Sequence, residues 1–211
     1  MNHHERFLAT IERRPVDHPC TWLGIPNDAA LPGLFDYFDV DSMDALRVKL
    51  DDDIVPVEMP YHSDSADAIY AALDFAQQGK IDNEHRTLNA PGFFQARTDV
   101  AAVDEFDWPN PAEFIDPAAC RAAVEAVDGE RVILGVLWSA HFQDVCAAFG
   151  LETAFMRFFD APDLVQAISA RIVDFYLKAN EIFFEATQGK LDAVLIGNDY
   201  GSQTGLMLSP N

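Results

Sequence analysis

Asp199 is the residue of this chain best placed to do chemistry. It follows an apolar run, Asp192-Ala-Val-Leu-Ile-Gly197, that reads as a buried strand, and it sits in a polar loop punctuated by glycine, Asn198-Asp-Tyr-Gly-Ser-Gln-Thr-Gly205. A carboxylate just past a buried strand can be held rigidly and partly desolvated, which tunes it for proton transfer or for gripping a cationic part of a ligand. The same residue could do no more than accept backbone N–H bonds in a local turn. Asn198, Tyr200 and Gln203 add hydrogen-bonding groups beside it.

Trp22 and Trp138 each fall at or near the end of an expected strand, so parallel pairing would bring both toward the same rim as Asp199. An aromatic wall facing a carboxylate suits a flat organic ligand, although tryptophans at such positions also simply close a core. His141 opens the helix after Trp138, either within reach of that pocket or exposed in the first turn. The six histidines show no ligand spacing and the cysteines make no C-x-x-C pair, so no metal site is expected within this chain. Glycine-rich phosphate loops and the G-x-S-x-G nucleophile elbow are also missing, which argues against nucleotide chemistry and serine hydrolysis.

Such residues need a scaffold, and 211 residues of which 49% are apolar can build one sizeable core. The balance of 35 acidic against 14 basic residues gives a formal charge of -21. That surface repels phosphate backbones and anionic lipid, so a small-molecule substrate is expected rather than nucleic acid or a membrane. Cys20, Cys120 and Cys146 are too few and too scattered for a disulfide framework. With no apolar signal segment at the start and no run of about 18 apolar residues, the expected location is the cytoplasm.

The scaffold itself reads as alternating helices and strands. Glu5 to Glu12 carries Phe7, Leu8 and Ile11 on one helical face, and the turn at Pro15 feeds a first short strand ending near Trp22. A short helical piece at Leu34–Phe38 and a helix from Ser42 to Leu50 precede a second strand, Asp53–Glu58. Ala66 to Gln78, stopped by Gly79, reads as a helix, and residues 81–108 as an excursion with a hairpin turn at Asn89–Gly92. Asp116-Pro117 opens a helix that stops at Gly129, and Arg131–Leu137 is a third strand buried on both faces. Helical spacing then covers Phe142–Phe149, Phe155–Phe159 and a long helix from Pro162 to Gly189, which delivers the fourth strand at Asp192–Gly197. Long helical connections imply parallel pairing. Ser209-Pro210 has the form of a helix cap and first turn.

Three segments together resemble the uroporphyrinogen decarboxylase superfamily. They are Glu5-Arg-Phe-Leu-Ala-Thr-Ile-Glu-Arg-Arg-Pro-Val-Asp-His-Pro19, Phe106-Asp-Trp-Pro-Asn-Pro111, and Asp192 to Gly205 followed by Ser209-Pro210. The resemblance implies a (β/α)8 TIM barrel with its active site at the C-terminal rim of the strands. Residues 1–211 would then be the N-terminal part of a single barrel domain, truncated at the C-terminal end. They would supply a helical lead-in and roughly the first four strands, a fragment inactive by itself. A homodimer is admitted for the complete protein.

That superfamily holds two chemistries. The true decarboxylases remove acetate carboxyls from uroporphyrinogen III without a cofactor, and they carry an Arg-Gln-Ala-Gly-Arg type motif after the first strand. The matching stretch here, Trp22-Leu-Gly-Ile-Pro-Asn-Asp28, has no arginine with which to grip a polycarboxylate. The family's aspartate after the second strand gives way to Met59-Pro60, its tyrosine in the helix after the third strand aligns with Cys146, and its serine after the fourth strand falls near Asp199. The pattern is more similar to the methyltransferase-type branch, which moves methyl groups between corrinoid proteins and thiols. In that branch zinc is held by His and Cys residues of the later half of the barrel.

Overall fold

Unbroken apolar and β-branched stretches become the sheet. β1 (Ile54–Glu58), β2 (Val132–Leu137) and β3 (Ala193–Ile196) lie parallel in the order β1-β2-β3, with Ile54 opposite Val132 and Glu58 opposite Val136. The computed structural model describes residues 1–61, 70–77, 87–138 and 141–209. β2 is central and buried at every residue, as a continuous apolar run demands. Pro56 is tolerated because, among the described residues, β1 pairs on one side only. β3 alternates: Ala193 and Leu195 join the core of Ile54, Val132 and Leu134, whereas Val194 and Ile196 are 46% and 55% exposed. It is therefore covered on one face only, where its apolar run reads as a buried strand.

The strand expected to end near Trp22 is not formed. The Thr21 amide donates to Asp53 Oδ2 at 2.7 Å and the Leu23 amide to Asp52 Oδ1 at 2.9 Å. Two carboxylates thus take donors that a ladder would need, and the segment keeps a single backbone bond to the start of β1, from the Asp53 amide to Thr21 O at 3.2 Å, without becoming a strand. The parallel sheet has three strands where four were expected. Among the described residues the chain is mixed α/β, and no barrel is closed.

The chain divides into two compact units. One comprises Met1–Glu58, Arg121–Val136 and Thr187–Leu195; the other comprises Met59–Cys120, Leu137–Ala186 and Ile196–Asn211. In the first, α1 (His3–Ile11) opens with a capping box between Asn2 and Glu5. Its buried residues are Arg6 and Ala9, while Leu8 and Ile11 are exposed. Of the expected apolar face Phe7 packs against the core of Ile54, Val132 and Leu134, but Leu8 and Ile11 stay outside because Arg6 turns inward to Asp17, 2.9 Å from its Nε, and to the fully buried Asp53. α2 (Leu31–Phe38) and α3 (Met43–Leu50) follow, the latter capped by Ser42, whose hydroxyl accepts the Ala45 N–H at 3.3 Å.

In the second unit α4 (Ala71–Asp74) and a 3-10 turn, Phe75–Gln77, fall within the helix expected at 66–78, of which residues 66–69 and 78 lie outside the described residues. No strand occurs among the described residues of 81–108, so the expected hairpin is absent there. Instead the turn before Gly92 packs on the end of a helix, with the Phe94 amide donating to Ala148 O at 2.8 Å. Asp116 opens α5 (Pro117–Glu125) by accepting the Ala118 N–H at 2.8 Å. α6 (His141–Phe149) and α7 (Leu151–Asp160) are separated by Gly150 at φ +85°, and α8 (Pro162–Thr187) buries Leu164, Ile168, Ile172, Phe175, Ala179 and Ala186 as expected. Phe183 replaces the expected Ile182 in the core of this long helix. After β3 the chain makes a small antiparallel hairpin, β4 (Gly201–Ser202) with β5 (Gly205–Leu206), where an open loop was expected. The helix announced at Ser209-Pro210 lies outside the described residues, except for Ser209.

Candidate functional site

The amphipathic spacing of Phe142, Val145, Cys146 and Phe149 makes α6, whose first turn exposes unpaired amides. One of them is capped from far along the chain: the Phe142 N–H donates to Asn198 Oδ1 at 3.0 Å. Asn198 follows β3 and α6 follows β2, so the neighbouring order of these strands is what brings the two loops together. The other side of the same amide group, Asn198 Nδ2, donates to His141 Nδ1 at 3.2 Å. That contact occupies the Nδ1 lone pair and leaves the proton of a neutral imidazole on Nε2, 3.5 Å from the Tyr200 hydroxyl. The Tyr200 ring stacks on Phe142 with centroids 4.9 Å apart and planes at 29°. Gln143 Nε2 donates to Asp199 Oδ2 at 3.3 Å.

His141, Asn198, Asp199 and Tyr200 are therefore gathered by the start of α6. Asp199 is exposed and not partly desolvated as the sequence suggests, because β3 has already ended at Ile196, three residues before it. Gln203 is exposed in the turn between β4 and β5. Trp138 is half-buried directly after β2. Trp22 belongs to the first unit and is 38% exposed. Sequence reasoning missed Gln143 and Phe142, which sit 56 or more residues from their partners. The one signal for them was strand order, which a single sequence does not carry.

The arrangement presents a carboxylate, an imidazole N–H, a phenol and two amides on one small surface, suited to holding a polar ligand edge. The thiols do not contribute. Burial pushes Cys146 up to about 12, and burial followed by the charge of Asp53 pushes Cys20 up to about 11, so both stay protonated and poor as nucleophiles or metal ligands. Burial and the neighbouring Asp144 likewise hold the Tyr176 hydroxyl protonated. Among the described residues no three His, Cys, Asp or Glu side chains converge so as to hold a metal ion, and no helix is long and apolar enough to cross a membrane. No protein-family model, curated protein or solved structure matches the chain.

Proposed function

We propose that this chain is the N-terminal part of a uroporphyrinogen decarboxylase-like barrel enzyme of tetrapyrrole and corrinoid chemistry, and that the complete enzyme transfers a methyl group from a methylated corrinoid to a thiol. One observation carries the reading: hydrogen-bonding groups from the loops after two adjacent parallel strands meet at the C-terminal ends of those strands, between Asn198 and α6. That is where α/β enzymes assemble their ligand sites. Methyl transfer is favoured over removal of substrate carboxyls because Trp22 to Asp28 offers no cation, and the Asn27 side chain is spent on capping the turn at Asp28–Ala30. The zinc that such enzymes use does not fit the described residues, and no step here is assigned to it.

In the transfer a sulfur–carbon bond forms as the carbon–cobalt bond breaks, and the thiol proton must leave. Asp199 is the proton-accepting or ligand-orienting group, His141 Nε2–H and Tyr200 hold the ligand edge, and Asn198 and Gln143 are positioning residues. Trp22, Trp138 and Gln203 remain substrate-contact candidates in this proposal. The test measures thiol methylation from a methylated corrinoid beside uroporphyrinogen decarboxylation in the complete protein. Asp199→Asn is expected to lower kcat more than it changes KM. Folded protein inactive in both assays overturns the enzyme reading. A second reading, a barrel that binds its ligand without turnover, draws on the exposure of Asp199, which suits gripping better than proton transfer. It predicts saturable ligand binding with no product.

A further inference from the structure

The Asn198 amide is not free to choose its orientation. Its Oδ1 accepts the Phe142 N–H of α6 at 3.0 Å, and a backbone N–H can only donate, so it is Nδ2 that faces the His141 ring, 3.2 Å from Nδ1. Nδ2 is itself only a donor, and His141 Nδ1 can meet it only with a lone pair. On the far side of the ring Nε2 lies 3.5 Å from the Tyr200 hydroxyl, which both donates and accepts and so sets no condition. The capped first turn of α6 therefore requires a neutral His141 with its proton on Nε2. An imidazolium is a donor at both nitrogens, and its Nδ1–H would point at the donors of Nδ2.

We propose that His141 and Asn198 form a protonation switch on the candidate site: when His141 takes a second proton, the Asn198 amide turns over or leaves, the Phe142 N–H loses its cap, and the loop at Asp199 and Tyr200 is released from α6. Turned over, the amide offers Oδ1 to the imidazolium but its NH2 to the Phe142 N–H, so one side chain cannot serve both partners. Tyr200 follows the same event because its ring stacks on Phe142 with centroids 4.9 Å apart. Among the described residues, the charged group nearest in the loop is Asp199, exposed and tethered to Gln143 Nε2 at 3.3 Å, and its charge favours the imidazolium. Asp144 of α6 and Asp74 of α4 are buried with partners of their own, and the Tyr176 hydroxyl of α8 stays protonated. From α7, which packs on α6, come Glu152 and the pair Arg157 and Asp160, 2.7 Å apart. The switch rests on these contacts alone; its effect on a ligand rests on the function proposed above, in which His141 Nε2–H and Tyr200 hold the ligand edge.

The experiment is an NMR titration of the isotope-labelled complete protein from about pH 8 to about pH 5, reading the His141 ring nitrogens, the Phe142 and Tyr200 amides, and hydrogen exchange. On the neutral side the ring should show the Nε2–H tautomer, and both amides should shift in step with the second proton of His141. Protection of the Phe142 amide, corrected for the intrinsic pH dependence of exchange, should fall about 5-fold, the equivalent of the ~1 kcal/mol that a capping side chain contributes. In Asn198→Asp a carboxylate can accept from the Phe142 N–H and the imidazolium together, so this loss should vanish, as it should in His141→Phe. An Nδ1–H tautomer overturns the proposal, as does a ring that takes up no second proton in this range or a Phe142 amide indifferent to that proton. A step that survives in either variant overturns it too. The tautomer is read on unaltered protein, so refutation stays possible even if a variant does not fold. None of these readouts needs turnover, which keeps failure of the switch distinct from failure of the methyl-transfer reading.

Discussion

Asp53→Asn is the sharpest test of how the first unit is held together. The Asp53 side chain is fully buried and accepts from the Arg6 guanidinium, from His3 Nδ1 at 2.7 Å and from the Thr21 amide at 2.7 Å. An asparagine keeps one acceptor oxygen, which Thr21 can use, and turns an NH2 group toward Arg6 and His3. Removing one half of a buried ion pair costs about 3–5 kcal/mol. Asp17 still sits 2.9 Å from Arg6 Nε, so the guanidinium keeps one partner and the low end, about 3 kcal/mol, applies. With a urea m-value of about 2 kcal/mol/M the midpoint should fall by about 1.5 M, and the thermal midpoint by about 6–12 °C. Urea unfolding followed by circular dichroism and tryptophan fluorescence measures this. Arg6→Leu combined with Asp53→Leu should recover much of the loss, since no buried charge is then stranded. A midpoint shift under about 0.5 M for Asp53→Asn would refute the reasoning, because the network would then not be fastening the segment around Thr21 to the start of β1.

Stability should also fall on the acid side. Burial alone would raise the Asp53 pKa, but the Thr21 amide, His3 and Arg6 outweigh it and lower it; Asp17 is lowered mainly by its hydrogen bond with Arg6. Their stabilisation is present above the ordinary carboxylate value of about 4 and is lost as pH drops toward the lowered folded values, so Asp53→Asn should flatten that limb of a stability-versus-pH curve. Asp52 has the opposite sign, raised chiefly by burial, and Asp52→Asn should raise the urea midpoint more at pH 7 than at pH 4. Asn198→Ala removes the cap on Phe142 N–H and should cost about 1 kcal/mol by urea unfolding, with the Tyr200 loop losing hydrogen-exchange protection. Gly92→Ala would drive its Cβ into Ala148 O, backbone that cannot give way easily, and should cost about 2–3 kcal/mol; a neutral result would disprove that close approach.

Much of the scaffold was legible because its signals are local. A run such as Val132 to Leu137, the Ser42 cap and the stripe along α8 each state their structure within a few residues. What failed was set by partners distant in sequence. Nothing near Trp22 announces that Asp52 and Asp53, 29 to 32 residues away, will take the amides of a would-be strand. Nothing near Ile11 announces that α1 will bury Arg6 in preference to Leu8.

The same distinction weighs the residues on which the proposed family assignment rests. In the opening segment, Glu5 closes the capping box of α1, and Arg6 and Asp17 belong to the ion network. In the second, Phe106 and Trp108 pack edge to face with centroids 4.7 Å apart, Trp108 Nε1 donates to Val103 O at 2.9 Å, and Asn110 caps the turn at Pro111–Glu113. These residues have complete structural explanations, so their likeness speaks to scaffold and is silent on reaction. In the third, Asn198 is spent on the Phe142 N–H and His141, whereas Asp199 is exposed and bonded to a glutamine alone among the described contacts. The functional proposal therefore stands or falls on that loop: substitutions at Arg6 or Trp108 should lower stability and leave kcat per folded molecule unchanged, whereas Asp199→Asn should do the reverse.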